Sequence, residues 1–108
     1  MKTLIKELCS LDGVSGREYA VRDYIINKLK EFPTVTGIAV DPLGNVIANV
    51  TGKSRAKQKL MFAAHMDEVG FIITGVTDEG FLRFAGVGGI DQSVVYGRRV
   101  IVNGHTGV

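Results

Sequence analysis

The sequence predicts an α/β half followed by a β-rich half, and three observations carry that prediction. Apolar residues fall at helical spacing only in the first thirty-two positions. After Pro33 the pattern shortens to alternation broken by turn residues, the signature of strands and hairpins. One run, Leu60-Met61-Phe62-Ala63-Ala64, is apolar throughout, as a strand buried on both faces of an α/β sheet would be. The change of character near residues 66–69 predicts one segment over 1–68 and a second over 69–108.

Residues 2–11 predict a short helix, with Leu4, Ile5, Leu8 and Cys9 on one face and Asp12-Gly13 ending it. Ser15-Gly16-Arg17-Glu18 fits a capping box, in which a hydroxyl and a carboxylate satisfy the free N–H groups of a new helix. Val21, Ile25, Leu29 and Phe32 then form its apolar stripe, and Pro33 stops it. Thr36, Ile38 and Val40 alternate as a strand does. Asp41-Pro42-Leu43-Gly44-Asn45 is a turn, and Val46–Val50 returns as the second arm of a hairpin. Lys53–Lys59 is basic and polar, and reads as a solvated connection to the buried run at 60–64.

Beyond that run the pattern is β throughout. Val69–Val76 and Phe81–Ala85 predict paired strands around the turn Asp78-Glu79-Gly80. Gly86-Val87-Gly88-Gly89 is a flexible corner; no helix pattern comes after it, so it does not fit a dinucleotide fingerprint. Arg98–Asn103 predicts a further strand, with Arg98 and Arg99 as a solvent-facing edge pair, and Gly104–Gly107 a turn. Val108 then stands where another strand would begin, an unpaired edge.

The composition narrows the function classes. A net charge of +2 is too weak to argue for nucleic acid. No apolar run approaches the ~20 residues that span a bilayer, and Lys6 and Glu7 interrupt the N-terminal apolar stretch as a signal peptide would not. Cys9, the sole cysteine, excludes an internal disulfide and reads as a small core residue in a reducing compartment. The expectation is a cytoplasmic protein with no nucleic-acid or membrane partner.

The segment that carries chemistry is His65-Met66-Asp67-Glu68 at the end of the apolar run. Residues two apart on a strand share a face, so Asp67 can accept a hydrogen bond from one imidazole nitrogen of His65. That fixes the tautomer and leaves the other nitrogen for a metal. The carboxyl end of a central strand is also where sites form in open α/β sheets. Glu68 alternates to the other face and is expected to cap or pair with a neighbouring loop. His105 reads as an exposed turn residue. Tyr19, Tyr24 and Tyr96 are scattered and read as packing or interface residues.

Four segments, GVSGREYAVRDYI, DPLGNVIA, HMDEVGF and VGGIDQSVVYGRRV, occur in this order. Together they resemble the glutamyl-aminopeptidase and tetrahedral-aminopeptidase family of di-metal metallopeptidases. The resemblance implies that residues 1–68 are the N-terminal part of a zinc-peptidase-like α/β/α catalytic domain. It implies that 69–108 begin a β-rich, barrel-like inserted domain that builds homo-oligomers, from dimers to dodecamers. It further implies that His65 binds one of two divalent ions, zinc or cobalt, and that Asp67 stands behind it and orients it. Peptides are the implied substrates, cut at the N-terminal residue by metal-activated water. The family's members are considerably longer. Their bridging aspartate, water-activating glutamate and remaining ligands match nothing here, so this segment alone is expected to lack a working site.

Two other readings remain open at this level. One is an endoglucanase-type glycoside hydrolase, which needs two carboxyl groups facing across a bond; Asp67 and Glu68 alternate in direction and do not supply that pair. The other is a non-catalytic chain that self-associates through its β half, suggested by the edge at Val108.

Overall fold

The computed structural model describes residues 1–54 and 57–108. Arg55 and Ala56 of the predicted basic loop lie outside the described residues. The chain divides into two compact units, Met1–Glu68 and Val69–Val108.

The first unit opens with α1 (Lys2–Leu8) and α2 (Tyr19–Lys30). α1 stops three residues short of expectation. Cys9 is its C-cap, with its N–H turned back to Ile5 O, and the thiol is exposed; the side chain is not a core residue. The capping box does not form either. Glu18 stands at the N-cap of α2, and its carboxylate accepts from Gly16 N at 2.7 Å, while the Ser15 hydroxyl points elsewhere. Of the predicted stripe, Val21 is buried, Ile25 and Leu29 are half-buried, and Phe32 is exposed. Tyr24 donates its hydroxyl to the Glu7 carboxylate and so ties α2 to α1.

β1 (Val35–Val40) and β2 (Val46–Val50) form the expected antiparallel hairpin, with Val40 opposite Val46. Asp41 organises the turn. One carboxylate oxygen accepts from Leu43 N and Asn45 N, both at 2.9 Å, and the other from Asn45 Nδ2 at 2.7 Å. Gly44 sits at φ 91°, a conformation that residues with a Cβ adopt at a cost.

The apolar run at 60–64 departs from expectation. It joins no sheet among the described residues, and Leu60, Met61 and Phe62 are more than four-fifths exposed. An interior strand needs a neighbour on each side to pair its backbone, and none of the described strands lies beside it. At Glu68 the backbone makes a single parallel bridge to Val14.

The second unit is a succession of hairpins. β3 (Gly70–Val76) and β4 (Leu82–Val87) pair antiparallel around the predicted turn, with a bulge between Ile73 and Gly75. Phe71 and Phe84 meet edge to face at 4.9 Å between centroids. A short 3₁₀ turn over Gln92–Val94, absent from the sequence-based expectation, is capped by Asp91, which accepts from Ser93 N at 2.9 Å. Arg98 and Arg99 precede the next strand rather than lying in it, and Arg98 Nε donates to Val94 O at 3.1 Å. β5 (Val100–Val102) pairs with β6 (His105–Gly107). The turn is therefore Asn103-Gly104, at φ 47° and 82°, the positive pair that a two-residue hairpin turn requires. His105 is an exposed strand residue, not a turn residue.

The packing is thin. Val21 is the buried apolar side chain among the described residues. The accessible surface is 9789 Å². Two separate folded bodies sharing this mass equally would expose only about 7,000 Å².

Candidate functional site

Asp67 and Glu68 are held by the loop between the two helices, Gly13-Val14-Ser15, and His65 is reached from it through Asp67. Glu68 N donates to Gly13 O at 2.8 Å, and Gly13 N donates to Glu68 Oε1 at 3.1 Å. Two bonds to one residue, one through backbone and one through side chain, lock the register between segments 55 positions apart. Gly13 permits the approach. A Cβ there would come within 2.8 Å of Val21 Cγ2 and 3.4 Å of Met66 O. Glu68 thus pairs with a neighbouring loop.

With that register set, the Ser15 hydroxyl donates to Asp67 Oδ2 at 2.5 Å. The other carboxylate oxygen, Oδ1, lies 3.1 Å from His65 Nδ1, and the Asp67 carbonyl lies 2.9 Å from the same nitrogen. The Ser15 hydroxyl holds the Asp67 carboxyl below the usual aspartate range; the residue's own N–H and the imidazole add to the effect. An ionised carboxylate and a carbonyl are both acceptors only. Nδ1 must therefore carry the hydrogen in the neutral ring, and Nε2 keeps its lone pair. The His65 side chain is 85% exposed, so that lone pair is available.

This arrangement matches that of a histidine oriented by a carboxylate with its other ring nitrogen free to donate, and it offers one such donor. Among the described residues no group of three or more His, Cys, Asp or Glu side chains is placed to hold a metal ion, whereas a zinc site takes three or four protein ligands. The donor chemistry of His65 fits a divalent cation; the full complement is not in these residues. Asp67 and Glu68 are each engaged by the helix-connecting loop, through Ser15 and Gly13.

His65 and Asp67 do meet, as their spacing predicts, although neither lies in a strand; the sequence reading misses Ser15 and Gly13. Ser15 matched a capping box, a local pattern that masked a partner 52 positions away. No spacing rule links such distant positions.

Residues 44–108 match the M42 glutamyl aminopeptidase family. A protein of Acetivibrio thermocellus, named provisionally as an aminopeptidase, is 46% identical over 100 residues, 93% of this chain and 29% of that protein. Among solved structures, the chain is similar to a Thermotoga maritima protein described as an endoglucanase, with a TM-score of 0.85 and 40% identity over 96% of this chain and 32% of that one. It is similar as well to an aminopeptidase of the archaeon Desulfurococcus kamchatkensis, with a TM-score of 0.82 and 36% identity over 96% of this chain and 29% of that one. The chain spans less than a third of the length of the curated relatives it matches. With the match covering more than half of its residues, the chain belongs to the M42 glutamyl aminopeptidase family.

Proposed function

We propose that this chain supplies one metal ligand, His65, and its orienting acid, Asp67, to an aminopeptidase that removes N-terminal residues from peptides. The observation that carries the reading is the Asp67-held Nδ1 of His65 with an exposed imidazole. Family membership supports the reaction class. A divalent cation bound there would act as a Lewis acid toward the scissile carbonyl and lower the pKa of water. The residues present do the positioning. Asp67 fixes the ring's tautomer and rotation, and the Gly13–Glu68 pair fixes the backbone that carries both.

The remaining ligands and the water-activating acid belong to the length that the relatives have and this chain does not cover. The family resemblance of their sequence is the ground for reading residues 69–108 as the start of an oligomer-building insert. The exposed apolar run Leu60–Phe62 in residues 1–68 supports a cover from that further length.

A chimaera of this chain with the remaining length of an M42 aminopeptidase tests the proposal. Zinc titration should give tight binding and release of N-terminal residues from short peptides. Asp67→Ala should weaken zinc binding about 10- to 100-fold, and His65→Ala at least as much. Unchanged affinity in His65→Ala overturns the assignment.

Self-association is a second reading that the surface area also favours. Size-exclusion chromatography with light scattering on the isolated chain decides it. A cooperative monomer at all concentrations removes it.

A further inference from the structure

We infer that Ser15 is a positioning residue for His65, acting through Asp67. Two contacts form a continuous line from the helix-connecting loop to the imidazole, and the Asp67 carbonyl meets the same nitrogen independently of Ser15. The Ser15 hydroxyl donates to Asp67 Oδ2 at 2.5 Å, Asp67 Oδ1 stands 3.1 Å from His65 Nδ1, and the Asp67 carbonyl stands 2.9 Å from that nitrogen. A carboxylate turns about its Cβ–Cγ bond, and a donor on Oδ2 restricts that rotation while Oδ1 faces the ring. Ser15 is the side-chain donor on Oδ2. The loop that carries it is fixed independently by the Gly13–Glu68 pair of bonds. Ser15 therefore orients the acid without being needed for the register. Its side chain is exposed, so its hydroxyl is not buried for packing. The inference rests on the proposed role of His65 for its meaning, but its first test involves no metal.

A free neutral imidazole prefers its proton on Nε2, whereas the contacts here demand Nδ1–H. ¹⁵N chemical shifts of the His65 ring, read in the 108-residue chain at alkaline pH, report which nitrogen is protonated. Wild type should show Nδ1–H in excess. Ser15→Ala should shift the ring toward the free-imidazole preference, while the Gly13 and Glu68 amide signals keep their wild-type positions. Ser15→Thr, which keeps the hydroxyl, should restore the wild-type ring. A purely structural role would move the amides and leave the tautomer alone. If Ser15→Ala loses the fold, the threonine variant decides alone, and mixed tautomers there overturn the inference. A wild-type ring with Nε2–H in excess, or an unaltered ring in Ser15→Ala, also overturns it.

In the chimaera, zinc affinity should fall in Ser15→Ala and recover in Ser15→Thr. Loss of zinc binding in wild type would sink the metal role of His65 and leave the tautomer result standing. A tautomer that ignores Ser15 would sink only the present inference.

Discussion

In residues 1–68, side-chain hydrogen bonds reach across 17, 52 and 55 positions: Tyr24 to Glu7, Ser15 to Asp67, and Gly13 to Glu68. In residues 69–108, side-chain bonds among the described residues span no more than four positions, as from Phe81 N to Thr77 Oγ1 and Arg98 Nε to Val94 O. The first unit is therefore organised by contacts that exist only once the chain has closed. The second is a set of hairpins, each specified by its own turn. The candidate ligand sits at the end of the closed unit. Its geometry is only as secure as the loop 50 residues earlier.

The largest expected effect breaks the closed unit alone. Gly13→Ala drives a methyl to within 2.8 Å of Val21 Cγ2, and Val21 is buried on α2. Overpacking of that kind costs about 1–3 kcal/mol. Urea unfolding followed at the α2 amides should show that loss, and the cross-strand contacts of β3–β4 should persist at their wild-type midpoint. Simultaneous loss of both would mean that the units are not separable in this way.

Gly88→Ala is the matched test in the second unit and should cost less. Its Cβ would also fall 2.8 Å from a valine methyl, Val69 Cγ1, but Val69 is 55% exposed and can rotate away. What remains is the backbone: φ is +81°, and holding an alanine there costs about 1–2 kcal/mol. Gly104→Ala sharpens the point. Its φ is +82° with nothing near the added methyl, so the same backbone cost, about 1–2 kcal/mol, acts alone. Faster amide exchange should be confined to β5–β6. A Gly88→Ala penalty equal to that of Gly104→Ala shows that Val69 yields freely; one exceeding Gly13→Ala reverses the comparison.

The same contrast explains what was legible in the sequence. Hairpins β1–β2 and β3–β4 were readable because Asp41–Asn45 and Asp78–Gly80 carry their own turn chemistry within a few residues. The β5–β6 hairpin is equally readable from Asn103-Gly104, a strong two-residue turn signal, which the expected strand to Asn103 and turn from Gly104 split in two. That misplacement set His105 in the wrong element. The link from His65 to Asp67 was legible because the two are two positions apart. Ser15 and Gly13 were not, since their partners are chosen by tertiary closure. Leu60–Ala64 shows the opposite error: its composition describes an interior strand, yet the neighbours that would bury it are not among the described residues.

The smallest expected effect is a pH dependence confined to one turn. Asn45, through its side chain and then its N–H, holds the Asp41 carboxyl below the ordinary aspartate value of 3.8. A carboxyl with a depressed folded pKa stabilises the fold above its unfolded value, and that contribution is lost as the pH falls through the folded one. The β1–β2 turn should therefore keep its order down to pH 3.8 and lose it below, with Leu43 and Asn45 amides exchanging faster first. Asp67 is depressed in the same sense, so acid should loosen Ser15 from it over a similar range. The two acids differ in how far the change spreads. Around Asp41 it should stay within the hairpin, because every bond there is local. Around Asp67 it should be felt at Ser15, 52 positions away, and at the His65 ring on the other carboxylate oxygen. Loss of Ser15 order without any response at His65 would separate two contacts that the closed unit holds on one carboxylate.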